Sequence, residues 1–172
     1  MIEVFVPKLK VQTIYDIPLD ELYANGIRGI ITDLDNTLVS QKTVSATKEL
    51  VSWLDKVRKL GLDVVIVSNN NESRVGAFAS PLNIPYIFKA KKPTQGAFAR
   101  AIKILDLQPS EIVMIGDQMM TDVYGGNKMG LHTILVKSIA PHEEGMGTKI
   151  NRQLERIAIR RLRKRGLWLE EE

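Results

Sequence analysis

The 172-residue chain contains no cysteine. That excludes a disulfide scaffold, a thiolate zinc site and a cysteine nucleophile, and it suits a reducing compartment. No apolar run approaches the roughly 18 residues that a membrane-spanning helix needs. Internal repeats and low-complexity stretches are missing too. The opening MIEVFVPKLKVQ is too short and too mixed to read as a signal peptide, so the expectation is a soluble, cytoplasmic protein. Histidine is scarce. His132 lies in a strand-like run and reads as structural, and His142 lies in a polar loop with no evident partner.

The apolar fraction, 44%, is that of a globular protein, and the length suits one domain with an appendage. The charge is unevenly placed. Residues 1–148 hold 16 basic and 16 acidic side chains, whereas Lys149 to Arg165 holds eight basic residues and one acid, Glu155. The expected organisation is a neutral body, 1–148, and a basic, amphipathic, helical tail, 149–172.

Within the body, apolar strand-like runs alternate with helical patterns. Strands are predicted at 28–34, 62–70, 85–88, 111–117 and 131–136. Helices are predicted at 44–60, with Val44, Thr47, Leu50, Val51, Leu54, Val57 and Leu60 inward, at 72–82, at 94–106, with Ala97, Ala101, Ile104 and Leu105 inward, and at 121–130. Continuous apolar strands alternating with helices predict an α/β fold with a parallel sheet covered on both faces.

Ligands of such sheets bind at the carboxyl ends of the strands. The polar clusters fall there: Asp33-Leu34-Asp35-Asn36-Thr37, then Ser68-Asn69-Asn70, then Lys89, Lys91 and Lys92, then Gly116-Asp117 with Asp122 close behind. Asp33, Asp35 and Asp117 together carry too much negative charge to stand without a cation, and Mg²⁺ prefers oxygen ligands of this kind. An aspartate left free can attack phosphorus, while Ser68 and a lysine can balance the transferring oxygens. Asp33 and Asp35 reach one rim only if the chain leaves strand geometry between them, and Asp35 is then placed for proton transfer.

Asp33-Leu34-Asp35-Asn36-Thr37-Leu38, Ser68-Asn69-Asn70, Lys92-Pro93 and Gly116-Asp117 through Thr121-Asp122 resemble, in order, the four motifs of haloacid-dehalogenase-like (HAD) phosphatases. The resemblance implies a three-layer, Rossmann-like HAD core. It implies Asp33 as nucleophile, Asp35 as general acid/base, and Ser68, Asn69 and Lys92 as phosphate ligands. It further implies Mg²⁺ held by Asp33, the Asp35 main-chain carbonyl and Asp117, with Asp122 ligating through water or orienting that shell. The gaps between motifs leave no room for a cap domain, so an open site is expected, suited to large substrates or to closure by a second subunit in an oligomer. Ile14-Tyr15-Asp16-Ile17, GIRGIITDLDNTLV, AKKP and NRQLERIAIRRLRKRGL are similar to the YqeG-like branch, related to phosphatidylglycerophosphate phosphatase. That branch implies a phosphate monoester substrate, with phosphatidylglycerophosphate leading and a soluble sugar phosphate or nucleotide as the alternative.

In the tail, Ile150, Leu154, Ile157, Ala158 and Leu162 recur at helical spacing, with Arg152, Arg156, Arg160, Arg163 and Lys164 mainly off that stripe. Such a helix suits an anionic membrane, with Trp168 as an interfacial anchor. RNA or ribosome contact by a non-catalytic scaffold is one competing expectation, a solvated surface helix packed on the body is another, and no DNA partner is expected.

Overall fold

The computed structural model describes residues 2–168. Its centre is a six-stranded, wholly parallel sheet of β1 (Leu9–Val11), β2 (Gly29–Thr32), β3 (Asp63–Val67), β4 (Tyr86–Ile87), β5 (Ile112–Gly116) and β6 (His132–Val136). The spatial order is β1-β6-β5-β2-β3-β4. Strand order reverses beside β2: the chain runs outward through β3 and β4, then returns through β5 and β6 on the other side. β2 and β5 are in register with Thr32 opposite Ile115, so the residues that follow each strand emerge side by side at the reversal point.

The strands bury both faces, which is why they read as continuous apolar runs rather than alternating ones. All four residues of β2 and all five of β5 are buried. Side chains still alternate between two cores. Ile30, Ile66, Val113 and Ile115 pack with α2 (Lys48–Lys59) and α3 (Glu72–Ala79). Ile31, Val65, Val67 and Met114 pack with α4 (Gln95–Leu105) on the opposite face. Full burial of such a side chain contributes roughly 1.5–3 kcal/mol, so two helical layers and a sheet form three layers held from both sides.

The predicted strands are all present, and β1 is added at the edge. Three residues paired only with β6 leave too short a pattern to stand out from the mixed opening segment. The predicted helix over 44–60 begins later: Thr47 Oγ1 accepts from Leu50 N at 3.1 Å and caps α2. Val44 therefore lies outside the helix and is 73% exposed. Val51 and Ile104, expected inward, are also exposed, because the packed stripes of α2 and α4 are narrower than the apolar spacing implies. The region predicted as a helix over 121–130 is a wide π-helical turn, Met119–Val123, running into the short α5 (Tyr124–Lys128).

The C-terminal helix, α6 (Met146–Lys164), docks on the body. Ala158 and Leu162 pack with Met119, Val123 and Trp168, so Trp168 is buried rather than placed as an interfacial anchor. Lys10 Nζ stands 4.7 Å over its ring. α1 (Leu19–Ala24) joins the first core through Leu19.

Candidate active site

The site grows from the end of β2. Asp33 N donates to Ile115 O at 2.9 Å, the last rung between β2 and β5. The chain then leaves the sheet. Leu34 O accepts from Thr37 N and Leu38 N, and Asn36, at φ 61°, takes the left-handed conformation that asparagine tolerates. This is the departure from strand geometry that two carboxylates on one rim require.

Asp33, Asp117 and Asp122 converge. One oxygen of each lies within 4.8 Å of the others, and all three side chains are buried. Asp117 follows β5 directly, and Asp122 is returned by the wide turn, where its Oδ2 accepts from Gln118 N at 3.1 Å. Gly116 permits this return, since a Cβ there would overlap the Asp122 carboxylate. Lys92 Nζ reaches both Asp33 Oδ1, at 2.9 Å, and Asp122 Oδ1, at 2.8 Å. Of the three lysines in that loop, Lys92 is the buried one. Asn69 holds it by main-chain contacts: Asn69 Oδ1 accepts from Lys92 N at 2.7 Å, and Asn69 Nδ2 donates to Lys92 O at 3.4 Å. Ser68 is buried, with Oγ accepting from Asn70 N at 3.1 Å.

Asp35 is placed apart from the three-carboxylate cluster. Its Oδ1 accepts from Arg74 Nε and Nη2, each at 3.0 Å, and its Oδ2 accepts from Asn70 Nδ2 at 2.8 Å. Asp33, Asp35, Ser68, Asn69 and Lys92 line one cavity of about 520 Å³. Gly145, Gly147, Thr148 and Asn151, at the start of α6, form another part of its wall. The N-terminus of a long helix there favours an anion.

Two arginines, Arg74 and Arg152, stand at this site without a sequence motif that marks them. Arg74 holds Asp35, and nothing in its sequence spacing marks it, because the contact joins α3 to the turn after β2. Helical spacing puts Arg152 among the basic residues off the apolar stripe of the tail. Instead its Nη2 donates to Asp117 Oδ2 at 2.6 Å and its Nη1 to Asp117 O at 2.7 Å. The available signal was Glu155, the single acid in the basic run, which pairs with Arg152 one turn away at 3.0 Å.

Burial raises the Asp33 carboxyl from 3.8 to about 6, with Lys92 opposing and the Asp122 charge adding to the rise. Burial, then the charges of Asp33 and Asp122, raise Asp117 from 3.8 to about 8 against the pull of Arg152. Burial disfavours the Lys92 ammonium, but Asp122 and Asp33 more than offset this and hold its proton above the ordinary range. Three buried carboxylates facing one ammonium fit a hard divalent cation with oxygen ligands.

A pH dependence follows. Between about pH 4 and pH 8, the metal-free folded chain holds protons on Asp33 and Asp117 that the unfolded chain releases, so its stability falls as pH rises through that window. A cation bound at the cluster would replace those protons. The expected outcome is a larger rise in melting temperature on adding Mg²⁺ at about pH 8 than at about pH 5.5. Differential scanning fluorimetry with and without chelator measures it, and an equal or reversed difference counts against a cation at this cluster.

A family model described as HAD-hydrolase-like matches residues 89–151. The chain is 46% identical to "Probable phosphatase YqeG" of Bacillus subtilis (strain 168), over 94% of each chain. It is 25% identical to phosphatidylglycerophosphate phosphatase 1, chloroplastic/mitochondrial, of Arabidopsis thaliana, over 94% of this chain and 49% of that protein. Among solved structures, D,D-heptose 1.7-bisphosphate phosphatase from B. bronchiseptica, complexed with magnesium and phosphate, shares the fold with a TM-score of 0.50 at 16% identity, over 76% of this chain and 99% of that one.

Proposed function

The chain belongs to the HAD-like phosphatases, and from that premise we propose that it hydrolyses a phosphate monoester through a phosphorylated Asp33, and that the monoester is the head group of a lipid, phosphatidylglycerophosphate. The observation that carries the chemistry is the placement of Asp33. It stands at a strand end, in contact with Lys92, beside Asp117 and Asp122 and on the wall of the cavity.

In this reading an Asp33 carboxylate oxygen attacks phosphorus, forming the aspartyl phosphate as the bond to the leaving oxygen breaks. Asp35 gives that oxygen a proton. The resulting Asp35 carboxylate then takes a proton from the water that attacks phosphorus, releasing phosphate and restoring Asp33. Arg74 and Asn70 orient Asp35 for both transfers. Lys92 and Ser68 hold the transferring oxygens, and Asn69 acts by fixing the Lys92 backbone. Asp33, Asp117 and the Asp35 main-chain carbonyl would hold Mg²⁺, with Asp122 supporting them, and the bound ion supplies neutralisation of phosphoryl charge.

The outer face of α6 supports the lipid reading. Met146, Ile150, Leu154 and Ile157 are exposed along it, with Lys149, Arg156 and Arg160 exposed beside them. The same helix begins at the cavity wall. No helix among the described residues is long and apolar enough to cross a membrane, so any contact is made by this face lying on the surface. The Arabidopsis relative named for phosphatidylglycerophosphate points the same way.

A phosphomonoester panel tests the substrate. Phosphatidylglycerophosphate in anionic vesicles is expected to exceed sugar phosphates and nucleotides in kcat/KM by at least about tenfold. Replacing Leu154 and Ile157 together by glutamate is expected to reduce turnover of the vesicle substrate but not of p-nitrophenyl phosphate. Hydrolysis of soluble phosphates alone assigns the site to a soluble substrate. Salt-sensitive RNA binding with no hydrolysis at all favours the scaffold.

A further inference from the structure

Arg152 joins two parts of the molecule that sequence separates. Its Nε donates to Glu144 Oε1 at 3.1 Å, and its Nη2 donates to Glu144 Oε1 at 2.6 Å as well as to Asp117 Oδ2. Its Nη1 donates to Glu155 Oε2 at 3.0 Å and to Asp117 O. The other Glu155 oxygen accepts from Met119 N at 2.7 Å, at the start of the turn that carries Asp122. Asp117, Glu144 and Glu155 are all buried. One guanidinium thus ties a carboxylate of the site to the segment before α6 and to α6 itself.

The hold on Asp117 is two-handed. Arg152 grips one carboxylate oxygen and the main-chain oxygen of the same residue, which fixes both the backbone and the side-chain rotamer. Among the described residues the other carboxylate oxygen, Oδ1, accepts only a long hydrogen bond, 3.2 Å from Thr37 Oγ1. The 2.6 Å charge-assisted contact is the strong one and the 3.2 Å contact the weak one. The oxygen that can be surrendered to a cation is therefore Oδ1.

We propose that Arg152 is a positioning residue for the cation site, so that α6 is a working part of the centre rather than an appendage. Arg152 holds Asp117 so that Oδ1 is presented to Asp33 and Asp122. This rests on the metal reading given under Proposed function. The charge of Arg152 and its geometry act in opposite directions. A guanidinium beside a ligand repels a cation, so if charge dominated, its removal would tighten binding. If positioning dominates, removal weakens binding. The geometry favours positioning, because a carboxylate released from its support must be re-ordered each time the ion binds.

The test is direct binding of Mn²⁺, followed by electron paramagnetic resonance, to the full chain and to Arg152→Gln and Arg152→Lys. The glutamine variant is expected to bind on the order of tenfold to a hundredfold more weakly. The lysine variant, which keeps the charge but loses the planar fork, is expected to be weakened as well. Circular dichroism verifies that each is folded. Unchanged or tighter binding by a folded variant overturns the proposal. Should neither variant fold, the wild-type protein decides the matter by amide hydrogen exchange. If Arg152 couples the helix to the ligand, the ion must in turn stabilise the helix, since coupling is reciprocal. Mg²⁺ is then expected to slow exchange in residues 146–157, with α4 as the unaffected reference. No change there overturns the proposal. A wild-type protein that binds no Mn²⁺ contradicts the metal reading itself, and this inference with it.

Discussion

Asp33→Asn is expected to lower release of phosphate from an aryl phosphate by at least about a thousandfold, because it removes the attacking oxygen rather than a contact around it. The fold should survive. Asp33 is one of three buried carboxylates sharing a small volume, and Lys92 keeps its second partner, Asp122, at 2.8 Å. Removing one of three like charges relieves repulsion that raises both Asp117 and Asp33. In metal-free buffer the variant should melt within a few degrees of the wild type or above it. Steady-state release of p-nitrophenol and a thermal melt on the same preparation measure both halves. Turnover near the wild-type rate would remove Asp33 from the role of nucleophile.

Lys92→Met is expected to show the converse pattern, losing stability as well as activity. Among the described residues its ammonium is the one cation in contact with Asp33 and Asp122, and both contacts are buried. Methionine fills a similar volume but leaves those carboxylates without their partner, a change of the kind that costs about 3–5 kcal/mol. For a chain of this size that corresponds to roughly 10 °C in melting temperature. The loss should shrink as pH falls toward about 5, where Asp33 takes up a proton, and Mg²⁺ should restore part of it. Activity should stay down by at least about a hundredfold in either condition, because a cation at the carboxylates does not replace the lysine at the transferring oxygens. A variant equal in stability to the wild type at about pH 8 without metal would show that Lys92 is not neutralising the cluster.

Much of this site is legible in the sequence because the fold makes strand ends and chemistry coincide. Continuous apolar runs locate β2, β3 and β5, and whatever polar residues follow must emerge at the rim. That reasoning brings Asp33, Ser68, Lys92 and Asp117 into one neighbourhood, as the structure has them. The arginines escape it for a physical reason. Periodicity reports which face of an element is apolar, but not which charged side chain crosses to a distant carboxylate. Arg74 lies on a helix that packs its apolar side elsewhere, and its target is set by a turn 39 residues away. Arg152 lies within a basic run, and a half-buried, paired guanidinium cannot be told from an exposed one until its three carboxylate partners are placed around it. Trp168 illustrates the same limit: an aromatic after a basic helix suits a membrane interface, but here Met119, Val123 and Leu162 offer it a closer apolar surface. The exposed stripe Ile150, Leu154 and Ile157 was legible as apolar periodicity, whereas its partition from the buried Ala158 and Leu162 required the docked helix.

In the proposed reaction, phosphate passes through a covalent bond to Asp33. The most direct measurement is acid quench of the Asp35→Asn variant after mixing with Mg²⁺ and ³²P-labelled p-nitrophenyl phosphate. Nitrophenolate departs without a proton, so loss of the acid should not block the first transfer, whereas loss of the base should stall the second. The expected result is label retained on the protein in the peptide carrying Asp33, approaching one phosphate per chain and lost on treatment with hydroxylamine. A variant that releases nitrophenol and labelled phosphate in step, with no label on the protein at any quench time, would contradict it.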